Sequence, residues 1–127
     1  PNSLTHLTFG YSFNLPVDNL PCSLTHLTFN HSFNQPVDNL PNSIICLRFG
    51  WSFNNSVDNL PSSITHLTFG HEFNQKLNNL PIGVKQIIFN SNCKYYKNTV
   101  LNKIWFFMGC NEKKYLIKNN NIEILYK

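Results

Sequence analysis

Apolar residues recur along the chain at fixed positions of a twenty-residue unit, and each unit begins at a proline. These prolines are Pro1, Pro21, Pro41, Pro61 and Pro81, and no insertion interrupts their spacing. The first four units read PNSLTHLTFGYSFNLPVDNL, PCSLTHLTFNHSFNQPVDNL, PNSIICLRFGWSFNNSVDNL and PSSITHLTFGHEFNQKLNNL. A fifth, PIGVKQIIFNSNCKYYKN, keeps only the first half of the pattern. A fixed period of this kind predicts a repeat protein whose units stack on their neighbours.

Each unit starts with a segment that predicts a half-buried strand. In LTHLTF, apolar residues at positions 7 and 9 alternate with polar residues at positions 6 and 8, which is the period of a strand. A turn residue follows, then a Phe-Asn pair, an apolar residue at position 17 and leucine at position 20. Since proline cannot donate to a strand ladder, the proline after that leucine belongs at a corner.

Twenty residues are too few for a strand, two turns and a helix of ordinary length. The return side is therefore predicted to be extended or a short 3₁₀ piece. No unit can bury its own apolar residues, whereas stacked units can, with parallel strands about 4.8 Å apart. The predicted core contains nine of the eleven phenylalanines, at positions 9 and 13: Phe9, Phe29, Phe49, Phe69, Phe89, Phe13, Phe33, Phe53 and Phe73.

An asparagine follows the position-13 phenylalanine in every complete unit. We expect Asn14, Asn34, Asn54 and Asn74 to point inward and to satisfy backbone groups at the bend, because a buried polar group is costly unless it is hydrogen-bonded. For the same reason the glycosylation sequon Asn54-Asn55-Ser56 is discounted.

The pattern L-x-x-L-x-F with a later Phe-Asn resembles a leucine-rich repeat with its asparagine displaced. More narrowly, it resembles the FNIP repeat family, whose tetrapeptide is matched by Phe13-Asn14-Leu15-Pro16 and Phe33-Asn34-Gln35-Pro36. The family's flanking phrase L-P-x-S-L-T-x-L-x-F-G is matched by residues 20–30 and 60–70. The resemblance covers residues 1 to about 90, and it weakens where Ser56 and Lys76 replace the proline.

This resemblance implies a mainly β fold, a leucine-rich-repeat-like solenoid of stacked 20-residue coils with a parallel strand ladder. Family members occur in social amoebae and in giant viruses of amoebae, and some carry an F-box-like segment. The implied role is the recognition part of a larger adaptor, located in the host cell cytoplasm if the protein is viral. These residues contain no F-box-like segment.

Two regions are expected. Residues 1–90 form the repeats (1–20, 21–40, 41–60, 61–80 and partial 81–90), and residues 91–127 form an irregular C-terminal β cap. Apolar stretches at 114–118 and 122–126 flank Asn119-Asn120-Asn121 and predict a hairpin. Nothing precedes Pro1 to cover the first apolar layer. We therefore expect either a lost upstream segment or self-association through an uncapped N-terminal end.

The net charge of +4 is unevenly distributed. Residues 1–80 carry two basic and four acidic side chains, a balance of −2, whereas residues 81–127 carry eight lysines and two glutamates, a balance of +6. The lysines are interleaved with asparagine, without arginine and without a repeated basic–aromatic pattern. We interpret them as a solvated cap surface and expect neither a nucleic-acid nor a membrane partner.

The four cysteines, Cys22, Cys46, Cys93 and Cys110, share no repeat position and no metal-like spacing. They are not a disulfide framework, which favours a reducing, intracellular and cytoplasmic location. No apolar run approaches the length of a membrane-spanning helix.

If positions 7 and 9 face inward, positions 6, 8 and 11 face outward and form three columns. The third unit differs in all three, and it places Cys46, Arg48 and Trp51 together. Exposed Trp, Tyr and Arg dominate binding hot spots, so we predict a protein-binding patch centred on Trp51 and Arg48. The predicted partner-binding residues are His6, Thr8, Tyr11, His26, Thr28, His31, Cys46, Arg48, Trp51, His66, Thr68 and His71. The alternative is that these are ordinary ladder residues stacked on each other.

Other chemistries fit the columns poorly. Four ligands in a line, as in the His-His-Cys-His column, do not surround a metal ion tetrahedrally. Ile45 and Arg48 interrupt the threonine columns that an ice-binding solenoid would need. Asp18, Asp38 and Asp58 share one environment, whereas acid–base catalysis needs carboxylates whose pKa values are pushed apart.

No phosphate loop, nucleophile elbow or HExxH motif is present. We therefore expect no enzyme activity, no cofactor and no bound metal. The leading hypothesis is a protein–protein interaction module. The alternative is a structural or degenerate repeat fragment without a dedicated partner.

Overall fold

The computed structural model describes residues 3–77, 79–89 and 93, together with the backbone of residues 113–118 and 121–125. We refer to the five repeat units, which begin at residues 1, 21, 41, 61 and 81, as coils 1 to 5. The strands are β1 (His6–Thr8), β2 (His26–Thr28), β3 (Cys46–Arg48), β4 (His66–Phe69), β5 (Gln86–Phe89), β6 (Lys113–Lys118) and β7 (Asn121–Leu125). No helix occurs within the described ranges.

All seven strands form one sheet in sequence order, and the first five are parallel. The register is offset by one complete unit, so that Leu7 pairs with Leu27 and Leu27 pairs with Leu47. Residues at the same unit position therefore become neighbours in space. The predicted solenoid with a parallel strand ladder is confirmed.

The sheet continues beyond the repeats with antiparallel strands. β6 pairs with β5, and β7 pairs with β6 through the close pair Lys118 and Asn121. The hairpin predicted across the asparagine turn is confirmed. The sequence has a further apolar stretch at residues 103–108, which lies outside the described residues, and the assignment of 91–127 as a cap stays a prediction.

Coils 2 and 3, which are described throughout, each consist of one short strand and three turns joined by extended backbone. In coil 1 the turns lie at residues 11–12 and 18–19, and coil 2 opens with a turn at 22–23. The Phe13 amide donates to the Gly10 carbonyl at 3.2 Å, and the Leu24 amide donates to the Pro21 carbonyl at 3.2 Å. The return side is extended as predicted, and no 3₁₀ piece occurs among the described residues.

Phenylalanine rings fill the interior in two parallel columns. Within a coil the rings at positions 9 and 13 stack closely, as in Phe29 and Phe33, whose centroids lie 3.7 Å apart. Between coils the spacing is wider, 5.9 Å from Phe29 to Phe49. The predicted core is confirmed for the seven phenylalanines of coils 2 to 5, all of which are buried, whereas the two of coil 1 are partly buried.

The apolar layer of coil 1 is less covered than the layers inside the solenoid. Leu4, Leu7, Phe9 and Phe13 are only partly buried and pack against the core from one side. A cavity of about 330 Å³ opens at this layer. It is lined by Phe9, Phe13, Leu15, Pro16, Val17, Asp18, Asn19 and Leu20.

The expected inward orientation of the position-14 asparagines is wrong. Asn14, Asn34, Asn54 and Asn74 are exposed. The first three nevertheless satisfy backbone groups, as predicted, but those groups belong to the next coil. Asn14 Oδ1 accepts the Asn34 amide at 2.8 Å, and Asn34 Oδ1 accepts the Asn54 amide at 2.9 Å. Burial is therefore no ground for discounting the sequon at Asn54.

Two glycines allow the coils to approach closely. A Cβ atom at Gly50 would collide with the backbone of Asn30, and one at Gly70 would collide with the backbone of Gly50. At Gly10 a Cβ would meet nothing within 4 Å. In coils 3 and 4, the backbone at position 10 therefore lies directly against the backbone of the preceding coil.

Candidate functional site

Positions 6 and 8, two of the three predicted columns, lie on the outer side of the strand ladder, and the third, position 11, lies in the turn that follows each strand. Leu27, Leu47 and Leu67 are buried, whereas the residues on either side of each leucine are exposed or half-buried. We call this surface the strand face and define it by positions 6, 8 and 11 of coils 1 to 4. It contains His6, Thr8, Tyr11, His26, Thr28, His31, Cys46, Arg48, Trp51, His66, Thr68 and His71.

The position-11 side chains form one continuous ring stack. Ring centroids are separated by 4.5 Å from Tyr11 to His31, by 5.8 Å from His31 to Trp51 and by 4.1 Å from Trp51 to His71. The planes of Trp51 and His71 differ by only 4°. The Trp51 indole therefore lies between two near-parallel rings, close to His71 and more distant from His31, and it remains 44% exposed.

The position-6 histidines are held by threonines at position 5. The Thr25 hydroxyl donates to the Thr5 carbonyl at 3.0 Å and lies 2.9 Å from His26 Nδ1. The hydroxyl has a single hydrogen, so the roles in the contact with His26 Nδ1 depend on the histidine tautomer. In either case the contact orients the imidazole ring on the strand.

The His-His-Cys-His column has a geometry unlike a metal centre. His6 and His26 stack with centroids 4.1 Å apart and planes 9° apart, so their nitrogens do not converge on one point. Burial raises the pKa of the Cys46 thiol, which keeps it protonated and makes it a weak ligand at neutral pH. The described residues contain no group of three or more His, Cys, Asp or Glu that could hold a metal ion.

Coil 3 brings a mixed patch to the middle of the strand face. Trp51 is 44% exposed, Ile45 is 41% exposed and Arg48 is also exposed. Arg48 and Trp51 were predicted as binding residues from the sequence, but Ile45 was not. Ile45 was interpreted only as an interruption of the threonine column at position 5. The position-5 column carried the signal, because isoleucine stands there between Thr25 and Thr65. We call Ile45, Arg48 and Trp51 the coil 3 patch.

The acidic side chains lie elsewhere or are already engaged. Asp18, Asp38 and Asp58 sit at the turn of positions 18–19, where each accepts from the asparagine of the next coil at 3.2–3.3 Å. Glu72 Oε1 lies 2.9 Å from His71 Nδ1. Arg48 makes no ion pair with any described residue. The patch therefore has a cation and two apolar side chains with no carboxylate partner in this part of the chain.

A model of the FNIP Repeat family matches the chain at residues 1–32, 15–50, 33–72 and 53–92. The chain belongs to the FNIP Repeat family. The matches run through all four complete coils and into the fifth, so the resemblance drawn from the tetrapeptide and its flanking phrase is confirmed. FNIP units thus account for the region that forms the parallel ladder.

A solved structure has a similar fold. It is described as CroV588, a novel circular LRR protein, and comes from a giant virus. The identity is 46% over 73% of this chain, with a TM-score of 0.66. This chain spans about 15% of the length of that protein. The comparison shows a leucine-rich-repeat-like solenoid for the FNIP coils.

No curated protein matches the chain. Among the described residues, no helix has the length and apolar character needed to span a membrane. The register of the ladder makes the predicted partner-binding residues of successive strands neighbours, and their role in binding stays a prediction.

Proposed function

We propose that this FNIP-repeat chain is a protein–protein interaction module that binds a partner on its strand face, with the coil 3 patch at the centre. The repeat family and the leucine-rich-repeat-like solenoid support an interaction type of module. The observation that carries the proposal is the concentration of unlike residues in one coil. Ile45, Arg48 and Trp51 replace the Thr, Thr and His of coils 2 and 4.

Of the three replaced positions, position 8 makes no side-chain hydrogen bond between described coils, whereas positions 5 and 11 contact neighbouring coils. Arg48 makes no side-chain contact that the ladder depends on, and Ile45 replaces a threonine whose hydroxyl bonds to the preceding coil in coils 2 and 4. Coil 3 has thus lost a polar contact and gained exposed apolar surface. A partner that buries Ile45 and the edge of Trp51 would offset that loss, because central aromatic and arginine residues dominate binding energy.

We propose further that the module acts without enzymatic activity, cofactor or metal, as the recognition part of a larger adaptor in the cytoplasm. In a viral setting this is the cytoplasm of the host cell. The coil repetition supports a binding role, since it gives equivalent side chains the same environment. Catalytic groups need environments that differ.

A second candidate is a structural repeat segment without a dedicated partner. The observation that favours it is the stacking of Trp51 between His31 and His71, which by itself explains an aromatic residue at that position. The two candidates differ in one consequence. A structural role makes Trp51 matter for stability, whereas a binding role makes it matter for partner capture.

The test is affinity capture from a lysate of the cells that contain the protein, with the chain as bait. A second bait carries Arg48→Thr and Trp51→His, which restore the residues of neighbouring coils. A third carries Lys76→Ser, which removes one positive charge from an exposed corner. We expect one partner to be retained by the first and third baits and lost by the second. Equal retention by all three would keep the module but move the site away from Arg48 and Trp51. No partner from a folded bait would favour the structural candidate.

Self-association of this 127-residue chain through the coil 1 layer is a separate proposal. It is supported by the partial exposure of Phe9 and Phe13, by Leu15 at 64% exposure and by the cavity beside them. Sedimentation over a range of concentrations should show a species heavier than the monomer that disappears with Leu15→Glu. A monodisperse monomer at all concentrations would contradict it.

A further inference from the structure

The position-11 ring stack restricts what the strand face can bind. Nucleobases, proline-rich segments and methylated ammonium groups are bound through the open faces of aromatic rings. His31 and Trp51 each lie between two near-parallel rings at centroid distances of 4.1–5.8 Å, which leaves no space for a further ring between them. A ligand at the middle of the stack must therefore contact the exposed parts of these rings from the side.

The charge of the coil 3 patch is a second, independent restriction on the ligand. Arg48 is exposed without an ion pair among the described residues, and the row Asp18, Asp38 and Asp58 lies at a different turn of the coil. Guanidinium groups bind carboxylates through paired hydrogen bonds. A carboxylate placed on Arg48 would meet no competing acidic side chain of β2, β3 or β4, whose outward residues are His, Thr, Cys and Arg.

Ile45 and Trp51 add an apolar requirement. They are two of the large hydrophobic side chains exposed in the described part of the chain, and both belong to coil 3. Ile45 precedes β3 and Trp51 follows it, with Arg48 at the end of the strand between them. A ligand that covers the patch therefore carries apolar side chains on both sides of an acidic group.

We propose that the coil 3 patch binds an acidic, apolar peptide segment of a partner protein, in which aspartate or glutamate alternates with large aliphatic residues. The carboxylate binds Arg48, and the aliphatic side chains cover Ile45 and the edge of Trp51. This inference rests on the proposed function, since it names the class of segment that the module recognises.

The probe is a short fluorescein-labelled peptide in which glutamate and leucine alternate with serine spacers, titrated with the full chain and followed by fluorescence anisotropy. Two comparison peptides replace every glutamate by glutamine or every leucine by serine. We expect the parent peptide to bind at least about tenfold more tightly than either comparison peptide, which is roughly the effect of losing one paired charge or a buried leucine.

Three variants locate the binding site on the chain. Arg48→Thr and Ile45→Thr restore residues found in other coils, and each should weaken binding of the parent peptide about tenfold. Lys76→Ser is the matched control, because it removes one positive charge at an exposed corner of coil 4 and should change the affinity by less than about twofold. Circular dichroism and urea unfolding confirm that all three variants fold.

Two results would overturn the inference. The first is binding that does not respond to Arg48→Thr, which would place the peptide on another basic surface such as the lysine-rich C-terminal region. The second is equal binding of the glutamine peptide or no binding of the parent peptide. If either occurs while cellular capture still depends on Arg48 and Trp51, the interaction module stands and only the acidic class of ligand is wrong.

Discussion

The interior of the solenoid and its strand face are built from the same repeats, yet they tolerate variation very differently. Every complete coil has phenylalanine at positions 9 and 13 and asparagine at position 14. On the strand face, position 11 changes from Tyr11 to His31 to Trp51 to His71. Side chains at positions 9, 13 and 14 contact both the preceding and the following coil. Side chains on the strand face contact neighbouring coils only by ring stacking, or not at all.

This difference explains where a stacked protein can place a binding site. Each internal coil packs between two neighbouring coils, and equivalent residues form the contacts at both interfaces. Residues such as Phe53 and Asn54 are constrained on both sides at once. The side chains of Arg48 and Ile45 make no hydrogen bond to either neighbouring coil among the described residues, so they can change without removing the backbone contacts of the stack. Binding residues are therefore expected where the repeat departs from itself on an exposed column.

The largest expected effect is on core phenylalanines. Phe53→Ala removes a fully buried ring that stacks on Phe49 at 3.7 Å and lies between Phe33 and Phe73. It should lower the free energy of unfolding by about 3–5 kcal/mol, measured by urea denaturation. Phe13→Ala at the equivalent position of the less covered coil 1 should lower it by roughly half as much. Equal losses would show that the two layers are covered alike.

A smaller effect is expected at the backbone contact between coils. Gly50→Ala places a Cβ against the Asn30 carbonyl, and separating the coils to make room should reduce stability by about 1–3 kcal/mol. Asn30 itself carries a side chain at this position, donating to the Phe9 carbonyl at 2.6 Å, so the stack tolerates some displacement.

The control for the glycine contact is Gly10→Ala, where a Cβ meets nothing within 4 Å. This change should leave stability unaltered or raise it by up to about 1 kcal/mol, because alanine restricts the unfolded chain. Thermal unfolding of both variants measures the difference. A neutral Gly50→Ala would mean that close approach is not what position 10 provides.

The asparagine ladder should contribute less, since it is exposed to water. Asn34→Ala removes the acceptor of the Asn54 amide at 2.9 Å and of Asn55 Nδ2 at 2.8 Å. The expected loss in urea denaturation is about 1 kcal/mol. Asn34→Asp keeps the accepting oxygen and should retain most of the stability. If the aspartate variant were as unstable as the alanine variant, the oxygen would not be the stabilising group.

The smallest effect on stability is expected on the strand face. The double change Arg48→Thr and Trp51→His restores residues of the neighbouring coils and should alter the free energy of unfolding by less than about 0.5 kcal/mol. Urea denaturation of the variant beside the parent chain checks this. A loss as large as that of Phe13→Ala would identify Trp51 as a structural residue and weaken the contrast between interior and face.

Much of the fold could be predicted because one twenty-residue pattern repeats without insertion. Position 7 alternates with positions 6 and 8, which set the inward and outward sides of every strand. The same logic failed for Asn14 and its equivalents, where an invariant polar residue beside a phenylalanine was expected to be buried. A hydrogen bond to the next coil also requires an identical residue in each unit, and the sequence pattern does not distinguish the two cases.

The candidate site was predicted in part. Arg48 and Trp51 were identified because their columns otherwise contain threonine and histidine. Ile45 was missed because position 5 was not counted among the outward columns. The stacking of Trp51 between two histidines could not be derived either, since side-chain ring orientation depends on the spacing and twist of neighbouring coils.

The most direct test of the central claim is hydrogen–deuterium exchange of the chain alone and with the captured partner. If the partner binds the coil 3 patch, peptides that span residues 45–51 should exchange more slowly with the partner than without it. Peptides that span the exposed asparagine corner at 54–58 should exchange at the same rate in both samples. Protection of the corner with no change at 45–51 would contradict the claim.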